Sequence, residues 1–314
     1  MNQFSSLYRF NPTKKTVVTL GTFDGVHLGH QKVIQKLVQN AKKFELESVI
    51  LTFFPHPQQV LNPATDLKML STVDEKTRLL THLGLDNLII HPFDATFSEL
   101  LAEEFVSKIL VDQLKVQKII IGYDHRFGKN RTANFADLQA FGKKYNFEVE
   151  QISAEEMNEM AVSSTKIRKA IQNNDFALVK QFLGRFYSFS GKVIEGKQLG
   201  RTLGFPTANL AVDQSYKMIP NSGVYAVLCE IDPQKTKKYQ GVMNIGNRPT
   251  VDGTSQTIEI HLFDFNENIY NQEIKVYVCK QLRLEQKFNS IDDLKIQIAK
   301  DKQTAEAYFK SIEN

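Results

Sequence analysis

The sequence lacks the features that mark secreted, metal-clustered or membrane proteins. Of its 314 residues only 2 are cysteines, Cys229 and Cys279, and both lie in strand-like apolar runs. Two such thiols predict neither a disulfide framework nor a cysteine metal site, and they favour a reducing compartment. No stretch reaches the roughly 18 apolar residues that a membrane helix needs, and residues 1–15 contain nothing typical of a signal peptide. We therefore expect a cytoplasmic protein with no membrane partner.

Blocks of like charge are also missing. The 39 basic and 35 acidic residues are mixed along the chain and leave a net charge of +4. So small an excess does not indicate a nucleic-acid partner. With 42% hydrophobic residues, a chain of this length predicts two domains that each bury a core. The oligomeric state is left open.

The two most familiar phosphate-binding patterns are absent as well. Every Gly-Lys pair is followed by Asn, Lys, Val or Gln, so GxxxxGK[ST] does not occur, and neither does GxGxxG. A nucleotide site must therefore be sought in other glycine-containing segments.

The first half of the chain alternates strand-like and helical patterns. Short apolar runs that indicate strands occur at 17–20, 49–53, 88–90, 118–121 and 147–152. Between them, residues 30–44 place their apolar side chains on one helical face, and Thr72 with Glu75 forms a capping box. Short buried strands joined by helices predict an α/β fold, a Rossmann-like parallel sheet covered on both faces.

The second half of the chain has a different pattern of predicted secondary structure. Strand-like runs at 187–195, 224–231, 239–245, 257–265 and 274–280 follow one another without helical periodicity between them, and only 291–312 is helical again. This pattern predicts an antiparallel β-barrel with a C-terminal helix. The predicted domains are 1–183 and 184–314.

One segment, GTFDGVHLGH (21–30), follows the first predicted strand directly. Ligands of parallel sheets bind at the carboxyl ends of strands, and a glycine turn leading into a helix presents N–H groups and a positive dipole to an anion. His27 and His30 should project from the same side of the first turn and donate hydrogen bonds to phosphate oxygens. Donors aimed at charge that develops during displacement at phosphorus would stabilise the transition state.

Two further segments of the first domain fit a nucleotide site. SSTKIRKAI has Ser164 and Thr165 where a helix should begin and Arg168 in its first turn, which together offer hydroxyls, N–H groups and a cation. FFPHP holds His56 between two prolines at the end of the second strand.

The second domain has its own candidate phosphate loop. Gly196, Gly200 and Gly204 are spaced by four, with Arg201 among them, which makes a flexible basic loop able to lie over phosphates.

Polar residues on two strands accompany that loop. Thr207 and Asn209 of PTAN should point the same way on an extended strand and offer a hydroxyl and an amide oxygen to Mg²⁺. In TIEIHLFDF the alternation places Glu259 on the face opposite to the apolar residues, where it is a candidate general base for an alcohol.

These segments carry a family resemblance. GTFDGVHLGH, FFPHP, IGYDHRFG and SSTKIR, in this order and spacing, resemble the adenylyltransferase half of the bifunctional bacterial riboflavin kinase/FAD synthetases. GRTLGFPTANL, SGVYAV, GVMNIGNRPT, TIEIHLFDFNENIY and LRLEQKFNS resemble their flavokinase barrel. The resemblance covers essentially the whole chain. It implies that the second domain phosphorylates riboflavin with ATP to give FMN, and that the first transfers AMP from ATP to FMN, giving FAD and pyrophosphate.

The resemblance also implies residue roles. His27 and His30 would hold the phosphates of the adenylyl donor, and Glu259 would take the proton of the riboflavin hydroxyl. The residues implied in nucleotide contact are Gly21, Phe23, Asp24, Gly29, Ser164, Thr165, Arg168, Gly196, Gly200, Arg201 and Gly204. Those implied on the flavin side are His56, Asp124 and Arg283, and those implied in Mg²⁺ binding are Thr207 and Asn209.

Two departures from the family pattern keep alternatives open. His125 stands where the family usually has Phe, and Ala133-Asn134 stands where it usually has Gly-Asp. One alternative is therefore a flavokinase whose weakened first domain acts as a flavin-binding regulator. Another is an aminoacyl-tRNA synthetase, since HLGH and STKIR faintly resemble the nucleotide motifs of that class, although no basic stripe supports it.

Overall fold

The computed structural model describes residues 1–122, 125–152, 162–196, 200, 203–231, 237–250 and 253–313. Residue contacts divide the chain into two compact units, Met1–Ser164 and Thr165–Asn314. This division falls earlier in the chain than the domain boundary predicted at 183/184.

The first unit is built on a six-stranded parallel sheet. Its strands are β1 (Asn2–Phe4), β2 (Thr16–Leu20), β3 (Glu47–Phe53), β4 (Asn87–His91), β5 (Val116–Ile121) and β6 (Glu148–Gln151). They lie in the order β1-β4-β3-β2-β5-β6, and every pair is parallel. The last five strands were predicted, whereas β1 is too short to show an alternation and was missed.

Helices cover both faces of this sheet, as predicted. They are α1 (Leu28–Lys43), α2 (Pro57–Leu61), α3 (Val73–His82), α4 (Ala95–Ser98), α5 (Ala102–Glu104), which continues as a π-helix over Phe105–Gln113, and α6 (Phe135–Tyr145), with 3₁₀ turns at Leu7–Arg9 and Lys129–Arg131. Because side chains alternate along a strand, Val17 of β2 packs in one core with Ile34 of α1, and Val18 packs in the other with Leu138 of α6.

The sheet has its topological switch point at β2. The chain runs from β2 to β3 on one side and returns to β5 on the other, so a crevice opens between the carboxyl ends of β2 and β5. The segment 21–30 starts at the end of β2 and therefore borders this crevice. The predicted place of the nucleotide loop is thus explained by strand order.

The second unit is a closed antiparallel barrel with helices. Its elements are α7 (Ser164–Gln172), α8 (Phe176–Leu183), β7 (Tyr187–Ile194), β8 (Ala208–Ala211), β9 (Gly223–Glu230), β10 (Tyr239–Thr250), β11 (Gly253–Leu262), β12 (Glu273–Arg283) and α9 (Ile291–Glu313). The strands close in the order β10-β11-β8-β7-β12-β9. The terminal helix packs Ala305 and Phe309 against Phe263 and Cys279 of the wall. The predicted barrel and terminal helix are confirmed.

Candidate active sites

The loop between β2 and α1 turns through left-handed backbone. Phe23, Gly25 and Val26 have φ angles of 46°, 78° and 40°. Phenylalanine and the β-branched valine rarely adopt such angles, so the surrounding contacts must hold them there.

A buried carboxylate helps to fix this loop in its left-handed conformation. Asp24 is fully buried and accepts hydrogen bonds from the backbone N–H groups of Leu70 and Ser71, at 3.0 and 3.1 Å. The Ser71 hydroxyl accepts in turn from the N–H of Gly25 at 3.0 Å. The loop is therefore fastened to the chain segment that precedes α3.

A buried lysine also helps to fix the loop between β2 and α1. The Lys76 ammonium, on a residue only 5% exposed, donates to the carbonyl of Thr22 at 2.6 Å, and the Thr52 hydroxyl donates to the same carbonyl at 3.2 Å. Burial lowers the pKa of Lys76 to about 8, although the negative charge of Asp24 opposes that shift. Ser164 Oγ adds a hydrogen bond to the carbonyl of Asp24 at 3.0 Å.

The two predicted histidines lie against each other at the start of α1. His27 is the N-cap residue, and its Nδ1 accepts from the N–H of His30 at 3.2 Å, so a neutral His27 carries its hydrogen on Nε2. The rings stack at 3.5 Å between centroids with 18° between planes, and Phe23 packs edge-on to His30 at 5.1 Å. Two positive charges at that separation would repel each other, and an anionic ligand would relieve the repulsion.

Apart from His56, the residues predicted for the first site fall into three groups. Those in and around the loop are Gly21, Phe23, Asp24, His27, Gly29, His30 and Ser164. Phe23 and Asp24 are buried within it, where they shape the loop. Thr165 and Arg168 follow in α7, in the second unit. Asp124 lies outside the described residues.

His56 lies at the carboxyl end of the neighbouring strand. It is the N-cap of α2, and its Nδ1 accepts from the N–H of Gln58 at 3.1 Å. As with His27, this use of Nδ1 places the hydrogen of the neutral ring on Nε2.

An aromatic cluster follows the ends of β3 and β4. Phe53 packs against Phe93 and Phe97 at 5.5 and 5.3 Å between ring centroids, and His91 packs against Phe97 at 4.9 Å. Burial lowers the pKa of His91, against the influence of Asp94, which favours the neutral ring. Partly buried rings at the mouth of a sheet offer a flat apolar surface to a planar ligand.

The barrel brings a second set of predicted residues together. Glu259 of β11 is paired directly with Asn209 of β8, and on its other side with Asn244 of β10. Directly opposed residues share a face with Cβ atoms about 4.5 to 5.5 Å apart. The carboxylate and the two amides therefore form a row on the barrel wall.

Two of the three predicted glycines, Gly196 and Gly200, lie directly against residues predicted with them. A Cβ atom added to Gly196 would be 2.1 Å from Asn209 Nδ2, and one added to Gly200 would be 3.1 Å from Thr207 Oγ1. Only glycine permits so close an approach of the backbone. Gly204 has a φ of 84°, and Arg201 lies outside the described residues.

A cavity of about 520 Å³ opens beside Thr207. Its lining is mainly apolar and aromatic: Val193, Pro206, Thr207, Ala208, Ile260, Leu262, Phe265, Asn266, Glu267, Asn268, Ile269 and Tyr270. Since side chains alternate along strands, Asn209 and Glu259 point to the face opposite to Ala208 and Ile260. Thr207 thus belongs both to the cavity lining and to the set beneath the glycines.

Arg283 is engaged elsewhere. Its Nε and Nη2 donate to the carboxylate of Asp301 in α9 at 2.8 to 3.1 Å, and its Nη1 donates to the carbonyl of Leu284 at 3.0 Å. Following the register through Val224 and Asn244, it lies three strands away from Glu259 along the wall. The structure therefore does not group Arg283 with the residues around Glu259 on that part of the wall.

Comparison with known proteins accounts for both halves of the chain. Residues 10–166 match the family model of FAD synthetase, and residues 183–309 match that of riboflavin kinase. The Haemophilus influenzae bifunctional riboflavin kinase/FMN adenylyltransferase is 42% identical over 94% of each chain. The proteins of that name from Escherichia coli K12 and Bacillus subtilis are each 38% identical, over 95% of this chain and 94% of theirs. This chain belongs to the bifunctional riboflavin kinase/FMN adenylyltransferase family.

One solved structure has the same fold as this chain over almost its full length. It is the crystal structure of a protein named as a macrolide-efflux protein, from Streptococcus pneumoniae. The two chains are 29% identical with a TM-score of 0.86, and the match covers 97% of this chain and 98% of that one. Among the described residues of the present chain, no helix is long and apolar enough to cross a membrane.

The family departures in the FAD synthetase region keep their local structure. Asn134 caps α6 by accepting the N–H of Ala136 at 2.8 Å, and asparagine caps helices about as well as aspartate does. Ala133 exchanges two backbone hydrogen bonds with Phe127, and the His125 ring lies nearly parallel to that of Phe127. The departures therefore leave the helix start intact and keep a planar ring in the position of the usual Phe.

Sequence reasoning missed two polar residues that support the sites, Lys76 and His261. Lys76 is one helical turn before the buried Leu80, so a lysine on the apolar face of α3 was the available signal. His261 is on the same strand face as Glu259, which the alternation already marked as polar.

Proposed function

We propose that this chain makes FAD from riboflavin in two ATP-dependent steps, each carried out by one of the two residue sets described above. Riboflavin, FMN, FAD and ATP are the substrates and products. The observation that carries the proposal is that each family region holds its own set of residues suited to phosphate. In the first these are the stacked imidazoles at the switch point of the sheet, and in the barrel they are Gly196 and Gly200 packed on Asn209 and Thr207. The two arrangements suit two different transfers at phosphorus.

In the adenylyltransferase reaction, the phosphate of FMN attacks the α-phosphorus of ATP. A phosphorus–oxygen bond to FMN forms as the bond between the α- and β-phosphates breaks, and pyrophosphate leaves. Nε2–H of His27 and the ring of His30 donate to the oxygens on which negative charge accumulates, aided by the dipole of α1. The family resemblance adds Ser164, Thr165 and Arg168 as phosphate contacts.

The FMN ring has a candidate surface in the first unit. The aromatic cluster of Phe53, Phe93 and Phe97 lies at the carboxyl ends of β3 and β4, next to His56. We assign the isoalloxazine ring to this cluster and give His56 and Asp124 the role of placing the substrates.

In the kinase reaction, the 5′-hydroxyl of riboflavin attacks the γ-phosphorus of ATP. The oxygen–phosphorus bond to riboflavin forms, ADP leaves, and Glu259 accepts the hydroxyl proton. The cavity beside Thr207 takes the nucleotide base, because its aromatic and apolar lining suits a planar ring and because Thr207, which is part of that lining, lies against Gly200. Gly196, Gly200, Arg201 and Gly204 then cover the phosphates.

The donor set around Thr207 and Asn209 fits Mg²⁺. A hydroxyl, an amide oxygen and a nearby carboxylate are hard oxygen donors, which Mg²⁺ prefers together with nucleotide phosphates. Bound there, the ion would neutralise charge on the transferred phosphoryl group. Thr207 and Asn209 themselves fix where the phosphates lie.

Two assignments complete the proposal. We place the protein in the cytoplasm, since Cys229 and Cys279 are free, buried thiols whose pKa values burial raises. Arg283 orders the flavin side of the barrel by holding the end of β12 on α9. We keep the domain boundary at 183/184, at the start of the region 183–309 that matches the riboflavin kinase model.

One incubation tests the whole proposal. The protein is supplied with riboflavin, ATP and MgCl₂, and FMN and FAD are separated by chromatography over time. We expect FMN and then FAD, with ADP and pyrophosphate as the other products. Formation of FMN without FAD would support instead a kinase with a regulatory first domain, and formation of neither would overturn the proposal.

A further inference from the structure

His261 stands where the pairing of two barrel strands ends. The ladder between β8 and β11 consists of the pairs Glu259 with Asn209 and Ile260 with Ala208. The next pair in this register would be His261 with Thr207, but the described ladder stops before it.

Beyond the last ladder pair, the imidazole of His261 makes the contact between the two strands. Its Nδ1 lies 2.9 Å from the carbonyl oxygen of Pro206. Since a carbonyl oxygen only accepts, Nδ1 carries the hydrogen and donates. Burial lowers the pKa of His261, the bond to Pro206 opposes that shift, and the positive charge of Lys302 adds to it, which favours the neutral ring. The bond to the carbonyl places the hydrogen of that neutral ring on Nδ1.

The chain segment held in this way is the one that presents Thr207. Phe205 packs edge-on to the His261 ring at 5.5 Å between centroids, and its N–H donates to the carbonyl of Gly200 at 2.8 Å. A Cβ atom on Gly200 would be 2.4 Å from the Phe205 carbonyl oxygen and 3.1 Å from Thr207 Oγ1. Thr207 is thus fixed by the ladder at Ala208, by His261 through Pro206, and by the close approach of Gly200.

We propose that His261 is a positioning residue of the riboflavin kinase reaction, which holds the Thr207 hydroxyl where the phosphates of ATP and their Mg²⁺ bind. The proposal rests on the function assigned to the barrel above. His261 does not contact the substrates in this role. It acts through the carbonyl of Pro206.

Loss of the donor has a defined consequence. The Pro206 carbonyl loses its partner at the side of the cavity, and the segment 205–207 is free to move relative to β11. A displacement of about 1 Å at a positioning group costs on the order of 10²-fold in rate. The effect should concern the nucleotide and metal side of the barrel, and the binding of riboflavin should change little.

A pair of variants separates the hydrogen bond from the space that the ring fills. In H261N the amide nitrogen takes about the place of Nδ1 and donates, whereas H261L fills the space and has no donor. For each full-length variant we would measure kcat and KM for riboflavin phosphorylation, the Mg²⁺ concentration for half-maximal rate, and FMN adenylylation as an internal control. Hydrogen–deuterium exchange of the peptide spanning 203–210, with and without ADP and Mg²⁺, supplies a local readout that does not depend on turnover.

We expect H261L to phosphorylate riboflavin about 10- to 100-fold more slowly and to need roughly tenfold more Mg²⁺, with the riboflavin KM within about twofold of wild type. In H261N these values should stay within about threefold. ADP with Mg²⁺ should protect the peptide 203–210 in the wild type and in H261N, and should fail to do so in H261L. FMN adenylylation should be unchanged throughout.

Other outcomes overturn the proposal. Wild-type kinetics and protection in H261L would mean that the bond to Pro206 has no role, and equal losses in H261N and H261L would mean that the imidazole acts in another way. If H261L does not fold, H261D replaces it, because an ionised aspartate has the shape of asparagine but cannot donate, and equal activity of H261N and H261D would overturn the proposal. A wild-type protein that makes no FMN would overturn the kinase assignment itself, which is a separate result.

Discussion

His30 owes its orientation to a contact that sequence spacing does not show. Its N–H is bound to Nδ1 of His27, and its ring is stacked on the ring of His27 and packed on Phe23. The side chain is therefore held in place without a ligand, so its proposed use as a phosphate donor would cost little conformational entropy. Such a donor contributes more than a histidine on a mobile loop.

Replacement of His30 by alanine should slow FAD formation from FMN by about 10- to 150-fold. This range follows from the loss of one charge-assisted hydrogen bond of roughly 1.5 to 3 kcal/mol. FMN formation from riboflavin, measured on the same preparation, should be unaffected. His82→Ala, which removes an exposed histidine at the end of α3, is the matched control and should change neither rate. Equal loss of both activities in His30→Ala would contradict the assignment of the two sites.

Replacement of Glu259 by glutamine should slow FMN formation by roughly 10²- to 10⁴-fold, the usual contribution of a general base. The amide keeps the shape of the side chain and its place opposite Asn209, so the loss reports on proton transfer. FAD formation from added FMN should continue at the wild-type rate. Glu273→Gln, an exposed carboxylate at the start of β12, should be silent in both assays. An unimpaired Glu259→Gln enzyme would remove this residue from the mechanism.

Lys76 makes the stability of the first unit depend on pH. Its pKa is about 8 in the folded protein, against about 10.4 for an ordinary lysine, so between these values the unfolded chain keeps a proton that the folded chain has released. The free energy of unfolding therefore rises with pH across this window, by roughly 3 kcal/mol in total. Below pH 8 the buried charge exerts its full destabilising effect.

A comparison with Lys76→Met isolates this contribution. Urea unfolding of both proteins, followed by circular dichroism between pH 7 and 10, should show the wild type gaining about 2.5 kcal/mol relative to the variant as the pH rises. A difference that stays constant over this range would mean that Lys76 is not a buried, titrating group.

Among the elements, α9 depends most visibly on one ion pair. Asp301 is 5% exposed and receives both Nε and Nη2 of Arg283, while Gln297 of the same helix donates to it at 2.8 Å. The pair joins the end of β12 to the helix and supplements the apolar contacts of Ala305 and Phe309. Removal of one member leaves a charge without its partner.

Asp301→Ala should lower the free energy of unfolding of the barrel unit by roughly 3 kcal/mol. This is the lower end of what the loss of one partner of a buried pair costs, since the Arg283 side chain is 20% exposed. Loss of riboflavin phosphorylation during a urea titration reports on this unit alone. Glu306→Ala, which removes the half-exposed pair with Lys302 on the same helix, should cost about 0.5 kcal/mol or less. A similar cost for both variants would show that burial of the Arg283 pair contributes nothing extra.

The elements also show where sequence reasoning succeeds. Apolar runs and alternation predicted five strands of the sheet and five of the barrel, because their buried faces impose a period on the sequence. The edge strand β1 has three residues and one partner, which is too little to leave a pattern. The strand β10 runs beyond the predicted 239–245 to Thr250, where GNRPT lacks apolar alternation and the pairing with β11 decides the structure.

Site residues on a strand or at a helix start were predictable because a local rule fixes their direction. Glu259 and Asn209 are examples, and the register then places them side by side. Lys76, His261 and the partner of Arg283 were not predictable, because each acts on a segment distant in sequence. Such contacts depend on tertiary packing, on which single-sequence periodicity is silent.

On the scale of the whole molecule, the two substitutions that separate the reactions, His30→Ala and Glu259→Gln, lie in different compact units. His30 belongs to Met1–Ser164 and Glu259 to Thr165–Asn314. Each single variant should therefore keep the activity of the other unit.

A mixture of His30→Ala and Glu259→Gln should make FAD from riboflavin, although neither variant does so efficiently alone. FMN released by the first variant diffuses to the second, so FAD should appear after a lag in which FMN accumulates. Chromatography of timed samples checks this. Absence of FAD from a mixture whose members each retain one activity would mean that FMN passes between sites only within one chain.

The shortness of strand β8 determines where the barrel should open locally. It is joined to β11 by two register pairs and to β7 by three, whereas β9 and β12 share seven. Amide protons at 208–211 should therefore exchange with solvent earlier than those of β9, and the wall should part first along this seam. Since the nucleotide is assigned to the cavity beside that seam, the least stable strand pairing of the barrel is also the expected entry route for a ligand.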